Sequence, residues 1–343
     1  MDEAREMNPF TTDDFSRLDD SDDSAFYAVA RRVSHLDETA LRTVSRIIGT
    51  LVVEEAPAIL DLMASLDSHL PPALAPSSVV GLGLNGREMA DNPALTSRLL
   101  HDLNRDPRLP FADGTFDAVL NTVSVDYLTR PVEVFREVAR VLKRGGLFLV
   151  VFSNRMFPPK AVKIWRESSE GVRLGLVEEF FHLAGGFQRP RTFLSKGLPR
   201  PAQDQYAGCG IPSDPVYAVY AERSGGDASR PGRPDPELET VPLPPPEVVE
   251  SRKRETRATL RCPYCGEQMS KWAVPQTPFT EWEVPYLYVC FNDACPYLLR
   301  GWTAMGGQGN HGFSYRALYN PWRDVFHPVP VHSLNALRDG IVE

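Results

Sequence analysis

The chain has 343 residues, of which 42% are hydrophobic and 24% are charged. These are ordinary values for a folded protein, and the length leaves room for two domains. The formal net charge of −8 argues against a protein that coats nucleic acid, because phosphate binding requires clustered Lys and Arg. No apolar run approaches the roughly 20 residues that cross a bilayer, and the amino terminus lacks the basic start and apolar centre of a secretory signal. We therefore expect a cytoplasmic protein with no membrane partner.

The first part of the chain predicts a leader followed by a helix. Residues 1–25 contain many Asp and few large apolar side chains, and such a segment buries too little surface to offset the entropy of ordering. We therefore predict a disordered acidic leader. Between Leu41 and Val52 apolar side chains recur at helical spacing, and Asp37 is placed to cap the start. This pattern predicts a helix that lies on a sheet.

Apolar runs that read as strands alternate with helical patterns from residue 58 to residue 152. The runs are AILDLMAS (58–65), SSVVGLGLNG (77–86), LLHDLNRDPRLPF (99–111), FDAVLNTVSV (116–125) and LFLVVF (147–152). Such alternation predicts a parallel sheet that is covered on both faces. Sheets of this kind bind ligands at the carboxyl ends of their strands, where Asp61, Gly83, Asp102 and Asn121 fall.

Three of these stretches carry a resemblance to a known family. The acid of AILDL, the stretch LPFADGTFDAVLNTVSVDYL and the stretch PVEVFREVARVLKRGGLFLVVF resemble class I S-adenosylmethionine-dependent methyltransferases, particularly their type 11 branch. The resemblance covers roughly residues 35–222 and implies an α/β fold over residues 26–223, built on a Rossmann-like seven-stranded methyltransferase sheet. It also implies transfer of a methyl group from S-adenosyl-L-methionine to an acceptor that the sequence does not identify.

The resemblance further implies which residues contact the cofactor. Asp61 would face the methionine portion, with Ser65 in the turn that follows. Asp102 would face the adenine amino group, with the Leu103 backbone beside it, and Asn121 would lie at the next strand end. An Asp that only shapes a local turn is the alternative for Asp61 and for Asp102.

Two positions depart from the family pattern. MAS (63–65) stands where glycines let the backbone approach the cofactor, although the small side chains leave some room. Gly83, which we still place beside the cofactor, occupies the position of the acid that holds the ribose hydroxyls. Loss of that carboxylate removes a charge-assisted hydrogen bond worth about 1.5–3 kcal/mol, and Asn85 or Glu88 could replace it.

Candidate catalytic residues lie at the end of the fourth predicted strand. VSVDYL brings Asp126 and Tyr127 to the rim, where the resembling proteins carry groups that touch the substrate. We predict that Tyr127 contacts the acceptor and that Tyr127 or Asp126 assists as a general base, although a rim aromatic is as often simple packing. In-line alignment of acceptor and methyl matters more than a base, because the sulfonium already activates the methyl group.

The last third of the chain carries a metal-site pattern. A Pro-rich linker over residues 224–257 precedes a small zinc-ribbon-like domain over residues 258–343. The candidate ligands are Cys262 and Cys265 in CPYCG and Cys290 and Cys295 in CFNDAC. Two close thiol pairs about two dozen residues apart predict one tetrahedral Zn²⁺, and four free thiols are the alternative.

This module resembles the phage Ogr/Delta-like zinc fingers, which are transcription activators. The resemblance implies a protein or nucleic-acid partner, although the segment between the cysteine pairs holds few basic residues. Two hypotheses follow for the whole chain. One is a methyltransferase with an accessory zinc module. The other is a degenerate, non-catalytic methyltransferase fold that serves as a scaffold or sensor.

Overall fold

The computed structural model describes residues 9–29, 34–209, 211–226, 232–236, 242–275, 284–307, 310 and 313–342. The chain divides into two compact units, one formed by Met1–Phe193 with Asp214–Glu237 and the other by Leu194–Ser213 with Leu238–Glu343. The predicted domain boundaries remain a prediction. No helix in the described part of the chain is long and apolar enough to cross a membrane.

Seven strands form the sheet of the amino-terminal unit. They are β1 (Ala58–Leu62), β2 (Ser78–Gly83), β3 (Ser97–Leu100), β4 (Phe116–Thr122), β5 (Leu142–Phe152), β6 (Arg191–Ser195) and β7 (Val216–Glu222). Their order is β3-β2-β1-β4-β5-β7-β6. Strands β1 to β5 pair in parallel, whereas β7 runs antiparallel to β5. The predicted fold class is confirmed.

The strand order places a crevice beside β1. The chain runs outward from β1 through β2 to β3, and then returns to the other side of β1 as β4. In open sheets with parallel strands, ligands bind where the order reverses in this way. The central strands are apolar on both faces: Ile59, Leu60 and Val119 have no exposed surface.

Eight helices flank the strands of the described chain. They are α1 (Asp23–Phe26), α2 (Glu38–Leu51), α3 (Gly86–Asp91), α4 (Pro131–Val141), α5 (Lys163–Glu167), α6 (Glu170–Ala184), α7 (Pro246–Thr259) and α8 (Pro296–Gly307). The predicted helix α2 is confirmed, and the Asp37 carboxylate accepts the Thr39 and Ala40 N–H groups at its start. Burying the face that includes Val44, Ile47 and Leu51 fixes α2 in the core.

The prediction of a disordered leader is wrong for residues 9–25, while residues 1–8 lie outside the described part. Asp23 is buried and forms an ion pair with Arg17 at 2.7 Å. The Lys160 ammonium has no exposed surface, lies 3.2 Å from Asp23 and donates to the Ser21 carbonyl oxygen at 2.7 Å. These charges order the segment although its apolar content is low, because each buried charge has an opposite partner.

The carboxyl-terminal unit is built on a second, smaller sheet. Its strands are β8 (Ser270–Ala273), β9 (Tyr286–Val289), β10 (Ser314–Asn320) and β11 (Val325–Val331), in the order β11-β10-β9-β8. All three pairings are antiparallel. Trp272, Leu287, Val289 and Leu318 form the centre of its core.

The predicted linker needs a correction at its carboxyl-terminal end. The prolines of residues 224–250 predict a linker without helix or strand, yet α7 starts at Pro246 and continues to Thr259. Proline is well suited to the first turn of a helix, because its missing N–H would have no partner there and its φ is already helical. Residues 227–231 and 237–241 of the linker lie outside the described part.

Attachment of the amino-terminal segment is testable through Lys160. We expect Lys160→Met to lower the free energy of unfolding by about 3 kcal/mol, because it leaves buried acid without its full countercharge. Urea denaturation at neutral pH measures this loss. The matched control is Lys163→Met, which removes a more exposed pair with Asp13 and should cost much less, because solvent screens such a pair. Equal losses for the two variants would contradict this account.

Candidate functional site

A cavity of about 480 Å³ lies at the carboxyl ends of β1, β2 and β4. Its volume is in the range of small-molecule sites. Five of the six predicted cofactor residues line it: Asp61, Ser65, Gly83, Asp102 and Leu103. Asn121, the sixth, does not. Of the two predicted catalytic residues, Tyr127 lines the cavity and Asp126 does not.

Asp61 is a buried carboxylate at the end of β1. Its side chain accepts a hydrogen bond from the Ser68 hydroxyl at 2.7 Å, and Ser68 in turn accepts from the Asn92 amide at 3.0 Å. Burial raises the pKa of Asp61 from its ordinary value of 3.8 to about 6, since one hydroxyl donor offsets only part of the lost solvation. The cavity therefore contains an acid that a cationic ligand would stabilise in its ionised form.

The turn that leaves β1 crosses the end of β2. The Ala64 N–H donates to the Leu82 carbonyl oxygen at 2.9 Å. A Cβ atom on Gly83 would lie 2.4 Å from the Ala64 carbonyl oxygen. Residue 83 must therefore be glycine, and no acid can stand at this position without moving the turn.

A different carboxylate, that of Glu88, lies beside this turn and lines the cavity. The Ser65 hydroxyl donates to it at 2.6 Å. Asn85 caps α3 by accepting from the Arg87 and Glu88 N–H groups, and its amide donates to the Tyr27 carbonyl oxygen at 2.8 Å. The Asn85 amide also donates to the Glu88 carboxylate at 3.3 Å, so Asn85 is already occupied. Glu88 is a buried acid that lines the cavity five residues after Gly83.

The loop after β3 presents Asp102 and Leu103 to the cavity. The Asp102 carboxylate accepts from the Asn104 N–H at 2.9 Å, as expected for an Asp that shapes its own turn. Asn104 joins three parts of the chain. Its amide donates to Asp23 and to the Tyr127 carbonyl oxygen, both at 2.9 Å. Asp102 therefore both shapes its own turn and lines the cavity.

Tyr127 packs tightly at the rim of the cavity. Its ring stacks on Phe157 with centroids 6.0 Å apart, and its hydroxyl oxygen accepts from the Phe157 N–H at 2.8 Å. Burial, together with the neighbouring Asp126, raises the pKa of Tyr127 well above its ordinary value. A phenol in this environment keeps its proton at neutral pH and is poorly suited to act as a base.

Asn121 and Asp126 lie beneath the rim, away from the cavity lining. Asn121 is 1% exposed, and within the described part of the chain neither atom of its amide has a hydrogen-bond partner. Asp126 is 2% exposed, and burial raises its pKa to about 7. Their predicted roles remain predictions, and neither residue faces the crevice that its strand end suggested.

Three residues other than glycine that line the cavity have left-handed backbone conformations. They are Met63, His69 and Val123, with φ of 58°, 55° and 54°. Such a conformation is least favourable for β-branched Val123. Strained residues persist where surrounding contacts determine them, and they are frequent at functional sites. The three strained residues lie in the chain segments that leave β1 and β4.

Sequence reasoning missed other residues that line the cavity. Asp23 comes from the segment predicted to be disordered, and Tyr27 lies just after that segment. Asp67 and His69 come from the segment after β1, where the His69 ring nitrogen Nδ1 lies 3.2 Å from an Asp67 oxygen. An acid and a histidine two residues apart, close to a strand end, were the available sequence signal.

The four paired cysteines meet in the carboxyl-terminal unit. The thiol sulfurs of Cys262, Cys265, Cys290 and Cys295 all lie within 4.8 Å of one another. The Sγ–Sγ distances are 3.9 Å for Cys262 and Cys295 and 3.6 Å for Cys265 and Cys290. A tetrahedral zinc with Zn–S bonds of about 2.3 Å requires sulfurs about 3.8 Å apart. The donor set therefore fits zinc in both chemistry and spacing.

Two turns hold these thiols in place. The first pair lies in a tight turn in which the Gly266 N–H donates to the Cys262 carbonyl oxygen at 2.8 Å, with a left-handed φ of 78° at Gly266. The second pair spans the loop from β9 to α8. Buried Arg316 donates to the Cys290 carbonyl oxygen at 3.1 Å and to Asp293 at 2.5 Å. The ion pair between Arg316 and Asp293 therefore holds the second loop in position.

Comparisons with known proteins agree with the fold. Residues 78–150 match the family described as a methyltransferase domain. The ubiquinone/menaquinone biosynthesis C-methyltransferase UbiE of Roseobacter denitrificans is 32% identical over 82 residues. The aligned part is 24% of this chain and 33% of that protein, so the chain spans about a third of the relative's length.

Solved structures with a similar fold include a chain from the complex of the Haloferax volcanii Trm112 methyltransferase activator with a proposed methyltransferase. It is 16% identical, with a TM-score of 0.40, over 55% of this chain and 91% of that one. A SAM-dependent methyltransferase from Archaeoglobus fulgidus is 12% identical, with a TM-score of 0.39, over 56% of this chain and 96% of that one. Sequence identities and TM-scores this low say nothing about the activity of this chain.

Residues 78–150 of the amino-terminal unit, which match a methyltransferase domain, lie in its seven-stranded α/β sheet. The carboxyl-terminal unit adds a zinc-finger-like cluster of four cysteines.

The buried carboxylate of Asp61 gives a prediction for stability against pH. Its folded pKa of about 6 lies above the ordinary 3.8, so the folded chain binds this proton more tightly. This group therefore stabilises the fold at low pH and loses that contribution as pH rises through about 6. We expect Asp61→Asn to raise the free energy of unfolding at pH 7 by about 2 kcal/mol.

Urea denaturation at pH 4 and at pH 7 measures this effect. The difference between Asp61→Asn and the unmodified chain should shrink at the lower pH, where Asp61 is protonated in the folded state. A difference of the same size at both pH values would mean that the substitution acts through packing and not through charge.

Proposed function

We propose that the chain is an S-adenosylmethionine-dependent methyltransferase that acts on a small acceptor. The observation that carries this proposal is the cavity at the reversal of strand order, where Asp61, Gly83 and Asp102 from three neighbouring strand ends face one space. The match of residues 78–150 to a methyltransferase domain supports it. The acceptor of the UbiE relative is not carried over, because the chain covers only part of that protein.

The residues of the cavity fit the proposed cofactor. When bound, S-adenosylmethionine supplies a methyl group on a positively charged sulfur, together with an ammonium group. Asp61 offers a negative charge with a single side-chain donor, that of Ser68, already on it. Asp102 and the Leu103 backbone would hold the adenine, as the family resemblance implies. A cation beside Asp61 would favour its ionised form and so offset the desolvation that raises its pKa.

Glu88 is the proposed holder of the ribose hydroxyls. Its carboxylate lines the cavity and accepts from the Ser65 hydroxyl, a contact of the kind that a ribose hydroxyl would make. The close approach of Ala64 to Gly83 leaves that strand end without a side chain. An acid delivered by α3 one turn later restores the charge-assisted hydrogen bond that the family pattern places on β2.

The main contribution of the protein would be alignment and exclusion of water. Tyr127 and Phe157 form an aromatic wall of the cavity, and α1 and its flanking residues supply Asp23 and Tyr27 to the same space. Holding acceptor and methyl in line converts a bimolecular step into an effectively unimolecular one. The ion pairs of Asp23 with Arg17 and Lys160 hold this segment in place.

Cofactor binding is tested by calorimetric titration of the purified full chain with S-adenosylmethionine. We expect saturable binding, weakened at least tenfold by Asp102→Ala, because the adenine amino group would lose its acceptor. Asp106→Ala is the matched control, since Asp106 lies on the same loop, caps its own turn and does not line the cavity. An unchanged affinity for Asp102→Ala would refute the placement of the adenine.

A non-catalytic scaffold is the second candidate. It is favoured by the Ala64 contact that fills the β2 strand end and by the absence of a helix between β1 and β2. In that case the zinc module would serve as the contact for a protein or nucleic-acid partner. No detectable heat with millimolar S-adenosylmethionine would favour the scaffold.

We further propose that the four cysteines bind one structural zinc ion. Four thiolates complete a tetrahedral shell and leave no open position for a reaction. The sheet β8–β11 has a small core, so metal binding would contribute directly to its folding.

Elemental analysis of the purified chain should give one zinc per chain, reduced to near zero by Cys262→Ser. Cys209→Ser is the matched control, because Cys209 is exposed and lies outside the cluster. Thermal unfolding after chelation should show a lower melting temperature for the carboxyl-terminal unit, since the metal binds only the folded form. A zinc-free chain with unchanged melting would end this proposal.

A further inference from the structure

The segment that leaves β1 carries an acid–histidine pair that faces the cavity. The Nδ1 atom of His69 lies 3.2 Å from an Asp67 carboxylate oxygen, and the other Asp67 oxygen accepts the His69 backbone N–H at 2.7 Å. Both residues line the cavity, and the His69 side chain is 19% exposed. One carboxylate thus holds both the ring and the backbone of the histidine.

This contact determines which ring nitrogen can take a proton. The pKa of Asp67 lies below its ordinary value, chiefly because of the hydrogen bond from His69, so Asp67 is a carboxylate at neutral pH. A carboxylate accepts hydrogen bonds, so in the neutral ring the proton lies on Nδ1 and the lone pair on Nε2. No hydrogen-bond partner for Nε2 is found among the described residues.

The backbone of His69 has a left-handed conformation, with φ of 55°. Histidine tolerates this region better than most residues, but it still costs free energy. His101, another histidine of the cavity, has a different environment: its Nε2 lies 2.8 Å from the Asp106 carbonyl oxygen. Of these two rings, only that of His69 is oriented by an acid with Nε2 left available.

Part of the cavity lining is aromatic. Tyr127 and Phe157 stack with an interplanar angle of 29°, and His35 meets Phe157 edge-on at 5.3 Å. Tyr27 also lines this space. Flat rings favour a planar aromatic ligand, because offset stacking adds attraction beyond simple burial.

We propose that His69 is the general base of the methyl transfer and that the acceptor is an aromatic hydroxyl. This inference rests on the proposed function. As the acceptor oxygen forms its bond to the methyl carbon, the hydroxyl proton moves to Nε2 of His69. The methyl–sulfur bond breaks with its electron pair remaining on sulfur, and Asp67 stabilises the imidazolium. A phenol needs such a base because it is mostly protonated at neutral pH.

The first test reads the tautomer and requires no acceptor. Nitrogen-15 NMR of the histidine rings, with the His69 signals assigned by their loss in His69→Gln, should show a proton on Nδ1. Asp67→Asn should shift the ring away from that tautomer. A proton on Nε2 in the unmodified chain, or a tautomer unaffected by Asp67→Asn, would overturn the proposal.

The second test measures single-turnover transfer of labelled methyl from S-adenosylmethionine to a series of para-substituted phenols, from 4-nitrophenol to 4-methylphenol. Without its base, His69→Gln should lose about 10²–10⁴-fold with 4-methylphenol. It should lose much less with 4-nitrophenol, which ionises unaided. His69→Asn, which suits the left-handed backbone, should lose activity in the same pattern as His69→Gln. His182→Gln is the matched control, because His182 is exposed on α6 and does not line the cavity, and it should follow the unmodified chain across the series.

Two results would contradict the proposal. One is a parallel response of His69→Gln and His182→Gln, and the other is transfer to no phenol by a chain that binds the cofactor. Calorimetry on the same preparations distinguishes failure of the proposed function from failure of the proposed role of His69. Failure to bind S-adenosylmethionine would refute the proposed function as well, whereas binding without transfer to phenols would refute only the role of His69 and the acceptor class.

Discussion

The contact between Ala64 and Gly83 constrains the whole site. The turn after β1 is joined to β2 by the bond from the Ala64 N–H to the Leu82 carbonyl oxygen, and the Ala64 carbonyl oxygen occupies the space of any side chain at residue 83. The chain therefore passes over the end of β2 and forms no helix before that strand. Every polar group near this strand end has to come from another element.

The consequences appear on both sides of the turn. On one side, α3 brings the Glu88 carboxylate to the Ser65 hydroxyl. On the other side, the chain beyond the turn places Ser68 on Asp61 and orients His69 through Asp67. A glycine-rich turn leading into a helix would leave no room for these side chains. Where the family pattern presents the backbone of a glycine-rich turn to the cavity, this chain therefore presents side chains.

The fold could be predicted from the sequence because the strands are continuous apolar runs whose ends carry polar residues. Asp61, Gly83 and Asp102 reach one cavity for that reason. Asn121 does not, because in a strand a change of one residue turns the side chain to the other face. Asn121 is in register with Leu62 and not with Asp61. The spacing of the four cysteines was sufficient to predict their cluster, whereas the Arg316–Asp293 pair behind it carries no local signal.

The amino-terminal segment shows the limit of composition as a guide. Its ordering depends on Lys160 and Asn104, which are 139 residues from Ser21 and 81 residues from Asp23 along the chain. In the sequence, an acidic side chain that pairs with a distant buried cation cannot be distinguished from one that is exposed to solvent. Low apolar content predicts disorder only when no such cation is buried with the segment.

Several unfavourable features of the structure lie around the cavity. Burial raises the pKa of Asp61, and Met63, His69 and Val123 have backbone conformations that cost about 1–3 kcal/mol each in typical cases. Packing alone would select neither the buried acid nor the strained residues. An amide at residue 61 would remove the buried charge, and glycine at the three left-handed positions would remove the strain. A ligand that brings positive charge to Asp61 would recover part of this cost on binding. The buried charge of Asp61 and the three strained residues beside it therefore support a binding role for the cavity independently of the strand order.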